Sequence, residues 1–382
     1  MLPWIISLLS KKNINQTLFM PKKVLFITSG MCKGGAETQL LKVALFLKSL
    51  QYNVLIISLT PIDEFDIDYK KEGIPVVFLK SWKIYSLSNF SLLYKTVKDF
   101  KPNTVIAFMF IAIIFARLLK KIFHFKLISS IRIGVLTKKW YIPFRATTGL
   151  DDAVVYNSLA SKLNFEDNGL IDKKGIVINN GISVPDLKNN SNLSLPKGQF
   201  VWVCVAHFRW NKDYKTLFKA IAILKGLNFR VDIIGEYNAQ NSPLNIIKEL
   251  KIQDYVRVLG FKQNATQYLE YADAFVLSSF SEGMPNALLE AMAYSKPVVV
   301  TNIDCNNELL HGSKCGFLSE KENEQDLAAK MLKMMRMTTQ ERASLGQKGR
   351  IHVQENFSEA GVMKSWLSII QEHSPKDDLL IN

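Results

Sequence analysis

Twelve short runs rich in β-branched residues alternate with helical patterns along the chain, and that alternation leaves few folds open. In the first half the runs are Val24–Thr28, Val54–Leu59, Val76–Leu79, Thr104–Phe108, Lys126–Ser130, Ala153–Tyr156 and Gly175–Ile178. In the second they are Phe200–Ala206, Arg230–Ile234, Val256–Leu259, Ala274–Leu277 and Val298–Thr301. Several are apolar at nearly every position, as strands buried on both faces of a parallel sheet must be. Strand–helix alternation of this kind predicts doubly wound α/β domains. Residues 183–198 (SVPDLKNNSNLSLPKG) interrupt the pattern; rich in Asn, Ser and Pro, they read as a linker. Two such domains face each other across a cleft, and parallel sheets bind ligands at the carboxyl ends of their strands, so a shared cleft site is expected. With 382 residues and 48% apolar content the chain can bury two cores.

Charge divides unevenly between the halves. Residues 1–198 hold 27 Lys and Arg against 13 Asp and Glu, and residues 199–382 hold 21 of each, so the whole excess of +14 lies in the first half. Its densest part runs from Phe100 to Leu150, without a single Asp or Glu and with nine basic residues, among them Arg117, Lys120, Lys121, Arg132, Lys138, Lys139 and Arg145. Aromatic residues such as Phe123, Phe125, Trp140, Tyr141 and Phe144 are mixed in. Such a surface suits nucleic acid or a membrane carrying anionic lipid, and large apolar side chains beside the cations favour the membrane. The apolar residues up to Phe115 read instead as a buried strand and helix.

The cysteines, Cys32, Cys204, Cys305 and Cys315, lack C-x-x-C spacing and His pairing, so they read as reduced thiols and not as a zinc site. Residues 2–9 (LPWIISLL) are too short to span a bilayer and carry their charges on the wrong side for a signal peptide. Met20 reads as a natural start. Residues 1–19 are then either a weak interfacial anchor or an upstream misreading, and the sequence leaves both open.

Three stretches can carry chemistry. Gly30-Met-Cys-Lys-Gly34-Gly35-Ala-Glu37 follows the first strand and opens a helix, letting an anion approach the backbone, or serving simply as a tight turn. Its spacing is not the dinucleotide fingerprint G-x-G-x-x-G. His207-Phe-Arg209-Trp-Asn-Lys212-Asp213 follows the first strand of the second half, and its two cations suit a diphosphate, or form a solvated loop. Ser281-Glu282-Gly283-Met284-Pro285-Asn286-Ala-Leu-Leu-Glu290 follows the strand AFVLSS; Asn286 opens a helix whose first N–H groups are free for phosphate oxygens. Glu290 lies about one turn inside among Leu288, Leu289, Ala291 and Met292, where a merely solvated glutamate is out of place. Asp66-Ile67-Asp68 has the form of a metal-binding pair but sits in the acidic loop DEFDIDYKKEG and reads as solvated.

The third stretch, with its continuation SKPVVVTN, resembles the E-x7-E region of the retaining glycosyltransferases with the two-Rossmann GT-B fold, group 1 or family 4 in type, which assemble bacterial cell-surface glycans. The resemblance extends over most of the chain: Gly34-Gly35-Ala36-Glu37 looks like the family's GGAE-type loop and Ile178-Asn179-Asn180-Gly181-Ile182 like its hinge segment. Val258-Leu259-Gly260-Phe261 and Tyr271-Ala272-Asp273 also fit. Two departures stand out. Ala206-His207 replaces the usual Gly-Arg, with Arg209 two residues on, and AFMFIAII carries no polar group where some members have a histidine.

The resemblance implies an acceptor domain over residues 21–182 after an extension of residues 1–20, the linker 183–198, and a donor domain over residues 199–360. A C-terminal helix within residues 361–382 would return to the first domain. It implies that Gly34 and Gly35 approach the donor diphosphate and that Lys212, with Arg209, stabilises it as it leaves. Glu282 would bind the transferred sugar and Glu290 the ribose. Gly283, Met284, Pro285 and Asn286 would line phosphate and sugar, and Phe261 and Lys262 would sit near the base. The implied reaction moves a hexose or N-acetylhexosamine from a nucleotide-sugar, UDP-linked in preference to GDP-linked, to a lipid-linked or cell-surface glycan in lipopolysaccharide or capsule synthesis. Configuration would be retained, without a covalent enzyme intermediate, metal or cofactor. Arg117, Lys120, Lys121, Arg132, Lys138 and Lys139 would meet the acceptor and the anionic inner face of the cytoplasmic membrane, with no nucleic-acid partner. A sugar-nucleotide epimerase is the nearest alternative; a basic nucleic-acid- or membrane-binding protein without catalysis would explain the charge but not the paired glutamates.

Overall fold

The computed structural model describes residues 22–80, 86–172, 175–187, 198–238 and 242–372. The extension before Pro21 and residues 188–197 of the linker therefore lie outside the described residues. Two all-parallel sheets are formed. The first contains β1 (Lys23–Thr28), β2 (Asn53–Ser58), β3 (Val76–Phe78), β4 (Thr104–Phe108), β5 (Lys126–Ile131), β6 (Ala153–Tyr156) and β7 (Ile176–Val177), in the order β3-β2-β1-β4-β5-β6-β7. The second contains β8 (Phe200–Val205), β9 (Phe229–Ile234), β10 (Val256–Val258), β11 (Ala274–Leu277), β12 (Val298–Thr301) and β13 (Gly316–Ser319), in the order β10-β9-β8-β11-β12-β13. This is the two-Rossmann arrangement that the resemblance implied.

Period-2 alternation explains the apolar runs. In β1, Leu25 and Ile27 join the core on one face of the sheet, while Val24 and Phe26 join the core on the other. Each sheet starts with a central strand, winds out to one edge and then crosses to the other side. The winding direction reverses between β1 and β4 and between β8 and β11, and crevices open at such switch points. The strand β13 was not expected from the sequence. It lies at a sheet edge and is half-exposed at three of its four positions, so no continuous apolar run announces it.

The helix Glu359–Gln371 returns to the first domain. Val362, Met363, Trp366, Ile369 and Ile370 enter the same core as Val24, Phe26 and Phe108, and the Trp366 ring stacks on Phe108 at 5.8 Å. The Lys126 ammonium donates to the carbonyls of Ile369 and Glu372 at 2.6 and 2.5 Å. The return crosses beside the outgoing chain: Ile182 N–H donates to Phe357 O, and Glu359 N–H donates to Ile182 O.

The basic region needs correcting at three positions. Arg117 is fully buried: Nε and Nη2 donate to the two carboxylate oxygens of Asp151 at 2.9 and 2.6 Å, and Nη1 donates to Phe144 O. Lys120, partly buried, pairs with Asp152. The acid-free stretch ends one residue before these two aspartates, so linear charge overstated the surface charge. Arg132, also buried, faces the domain junction. Phe125 and Phe144 are core residues, and Trp140 and Tyr141 pack against that core. Lys121, Lys138, Lys139 and Arg145 are exposed.

Arg117→Ala removes the guanidinium that holds both oxygens of the buried Asp151 carboxylate. It should cost about 3–5 kcal/mol, read as a lower midpoint in chemical denaturation.

Candidate functional site

All three chemistry-bearing stretches emerge at switch-point strands: Gly30–Glu37 after β1, His207–Asp213 after β8 and Ser279–Asn286 after β11. The last two are stitched together by backbone. Lys212 and Ser279 form an antiparallel bridge, Phe280 N–H donates to Asn211 O, and Asp213 N–H donates to Ser278 O. Asp213 caps the helix Tyr214–Ile223 by accepting from Thr216 N–H. Lys212 is thereby aimed at Glu282. Its ammonium pairs with Glu282 Oε1, which also accepts from Ser279 Oγ at 2.8 Å. The sequence gives these two residues separate roles; in the structure each neutralises the other.

The domains meet backbone to backbone. A Cβ on Gly134 would lie 2.4 Å from the carbonyl oxygen of Glu282. A Cβ on Gly283 would lie 2.6 Å from Arg132 O and 2.9 Å from Asn157 Nδ2. Gly35 abuts Asn286, whose Nδ2 lies 2.9 Å from where a Cβ on Gly35 would be. Asn180 Nδ2 donates to Asn286 Oδ1 at 2.6 Å, while Lys33 lies over the Phe261 ring at 4.7 Å. Farther along the junction, the Glu308 carboxylate accepts from Ala160 N–H at 3.2 Å, at the start of the helix Leu159–Asp167.

Gly35 therefore does face the second domain, beside the first turn of the helix Asn286–Ala293, whereas Gly34 turns toward Glu37 and Cys32 of its own loop. Arg209 lies close enough to influence Glu37, Cys32 and His207, so it faces the Gly30–Glu37 loop. Phe261 is 44% exposed and stacks on His207, and Lys262 is exposed beside it. Met284 and Pro285 are buried, Met284 in the second-domain core, so only their backbone is available to a ligand. Asn180, Asn157, Lys33 and Gly134 also line the junction. Their signal in the sequence was weak: Asn180 appears within the hinge segment and Lys33 within the Gly30–Glu37 stretch, while Asn157 and Gly134 stand in loops without pattern.

Two carboxyls are held abnormally protonated. Burial pushes Glu290 up to about 7 against the opposing charge of Lys42. Burial also pushes Glu37 up to about 7, although its own backbone N–H and Arg209 act the other way. Lys42 reaches across to the hinge, donating to Gly181 O at 3.0 Å and lying 3.6 Å from Glu359. The opposite case is Arg132, whose guanidinium burial pulls down to about 9. The loop after β4, where some members of the resembling family carry a histidine, turns at Met109 with φ +73°, a conformation that favours glycine.

Residues 187–352 match the family model described as glycosyl transferases group 1. An N-acetylgalactosaminyltransferase of Campylobacter jejuni that acts on an undecaprenyl-diphosphate-linked sugar is 31% identical over 176 residues, 44% of this chain and 47% of the relative. The capsular polysaccharide biosynthesis glycosyltransferase CapH of Staphylococcus aureus is 25% identical over 75% of this chain and 83% of its own length. Among solved structures, Anabaena HepE in complex with UDP and glucose superposes with a TM-score of 0.78 at 19% identity, over 92% of this chain and all of that one. The chain spans 44–61% of the length of the first curated relatives it matches. The fold is GT-B, and residues 187–352 are similar to the group 1 glycosyl transferases.

Glu290 makes stability depend on pH. The unfolded carboxyl ionises near its ordinary value of 4.5, whereas the folded one keeps its proton up to about 7, so the folded chain binds more protons between these values. The resulting stabilisation is fully present below 4.5 and is lost as pH rises through 7. Glu290→Gln should remove a decline of roughly 1–3 kcal/mol across that window. Denaturation midpoints measured at a series of pH values should show a decline of similar size, due to Glu37, that persists in the variant.

Proposed function

We propose that this chain, whose residues 187–352 match the model of the group 1 glycosyl transferases, transfers a hexose or N-acetylhexosamine from a nucleotide-sugar to a lipid-linked or cell-surface glycan. The observation that carries the reading is the Lys212–Glu282 pair, held at the carboxyl ends of β8 and β11 where the Glu282 backbone meets Gly134 of the first domain. A UDP-sugar fits better than a GDP-sugar, in keeping with the nucleotide in the HepE complex. The acceptor class follows the Campylobacter relative, and a place in capsule or lipopolysaccharide assembly follows CapH and the other named relatives.

The residues account for the chemistry. As the anomeric carbon–oxygen bond to the diphosphate breaks, negative charge grows on the leaving phosphate. Lys212, Arg209 and the N–H groups at the start of the helix Asn286–Ala293 stabilise it, and no metal is required by this set. The acceptor hydroxyl attacks from the same face and gives its proton to the departing phosphate oxygen, so configuration is retained without a glycosyl-enzyme intermediate. When the sugar arrives, its hydroxyls compete with Lys212 for Glu282. Glu290, half-buried beyond the helix start, is suited to ribose hydroxyls, while Phe261 and Lys262 are placed for the base.

The first domain supports peripheral attachment to an anionic membrane face. Lys121, Lys138, Lys139 and Arg145 are exposed near Leu118, Ile122, Val135 and Ile142, and Ile142 is 82% exposed. No helix among the described residues is long and apolar enough to cross a membrane.

A thermal-shift screen against UDP-, GDP- and ADP-sugars should show stabilisation by the UDP series; no response to any of them would refute the donor reading. Lys212→Ala should lower turnover by about 10²–10³ with a smaller change in donor affinity, and Glu290→Ala should do the reverse. Wild type should sediment with anionic vesicles at low salt and be released at high salt. Lys138→Glu with Lys139→Glu should abolish that sedimentation; equal binding to neutral vesicles would count against the electrostatic part.

A further inference from the structure

Two arginines of the first domain are buried, and only one is matched by a carboxylate. Arg117 is held bidentately by Asp151. Arg132 is held by neutral groups alone: Nε donates to Ser130 Oγ at 2.8 Å, and Nη1 donates to Ile178 O at 3.2 Å and Asn180 Oδ1 at 3.1 Å. Its guanidinium carbon lies 5.1 Å from the Phe108 ring centre and 5.2 Å from that of Trp366. Nη2 is buried without a hydrogen-bond partner, and no carboxylate among the described residues offsets the charge. A buried cation left uncompensated costs several kcal/mol, which makes it a poor structural device and points to a partner that arrives later.

The hydrogen bonds around it have only one polarity. Arginine is a donor only, so Asn180 must turn Oδ1 toward it and Nδ2 away. Asn180 Nδ2 donates to Asn286 Oδ1. Asn286 is then left with Nδ2 facing the Gly35 loop, at the first residue of its helix. Neither amide can flip without setting donor against donor. The relay crosses from the first domain to the second and ends as a fixed N–H donor where the two chemistry-bearing loops meet. Asn157, also buried at this junction, has an unpartnered Oδ1.

We infer that Arg132 is a positioning residue for the diphosphate of the nucleotide-sugar, fixing Asn286 as a donor through Asn180 and contributing a buried positive charge that the diphosphate offsets. The inference rests on the donor reading above and adds to it a residue that does not itself touch the ligand. It also explains why Arg132 belongs to the cleft and not to the membrane surface.

Asn180→Asp separates this role from a structural one. The new carboxylate neutralises the guanidinium and captures Asn286 Nδ2, so the ligand-free protein should melt higher while its affinity for UDP falls at least tenfold. A purely structural Arg132 would move the two together. Arg132→Gln keeps a donor for Asn180 but removes the charge; its UDP affinity should fall at least fivefold. Titration calorimetry with UDP and with inorganic pyrophosphate reads both variants, and either one decides. Affinities within twofold of wild type overturn the inference and leave the donor reading intact. A wild-type protein that binds none of UDP, GDP, ADP or pyrophosphate removes the donor reading, and this inference with it.

Discussion

The cleft depends on how near two peptide backbones come at Gly134 and Gly283. Each glycine lies where any side chain would strike the carbonyl of the opposite domain. That approach brings Gly35 against Asn286, Asn180 within hydrogen-bond reach of Asn286, and Lys33 over Phe261. A glycine costs roughly 0.5–1 kcal/mol in chain entropy relative to alanine in a regular element. Here that cost is small beside the overlap a methyl group would create with backbone that has no rotamer to change.

Charge at the site is arranged in advance of any ligand. Lys212 is neutralised by Glu282, and Arg209 is set near Glu37. A diphosphate reaching Lys212 replaces the carboxylate of Glu282 and does not meet a bare ammonium, which limits the desolvation Lys212 suffers on binding. Glu37 and Glu290, both held near neutrality by burial, add little repulsion toward an incoming anion at pH values below about 7. Arg132 alone stands outside this balance, and it lies behind the junction instead of within it.

The fold was legible because parallel strands are apolar on both faces, so β1, β4 and β11 each appear as unbroken runs. The half-exposed edge strand β13 had no such run to betray it. Lys212, Arg209, Glu282 and Glu290 were legible as candidates because charged residues directly after buried strands have few structural reasons to be there. Their mutual arrangement was not legible: the Lys212–Glu282 pair spans 70 positions, and the Asn180–Asn286 bond spans 106. The basic region failed for a related reason. Arg117 and Lys120 are matched by Asp151 and Asp152 only after folding, and a linear count that ends at Leu150 sees the cations without their anions.

The helix Glu359–Gln371 has a consequence for how the protein is made. Lys126 and its carbonyl partner at Ile369 are 243 positions apart, and Trp366 completes a core begun by Phe26 and Phe108. At a synthesis rate of about 5–20 residues per second, the first sheet emerges from the ribosome roughly 10–40 s before its last helix does. Through that interval one face of the nascent sheet has an apolar gap where Trp366, Met363 and Ile370 will sit. The amino-terminal domain is the first to be synthesised and the last to be finished, so its exposed seam is a natural target for a chaperone during translation.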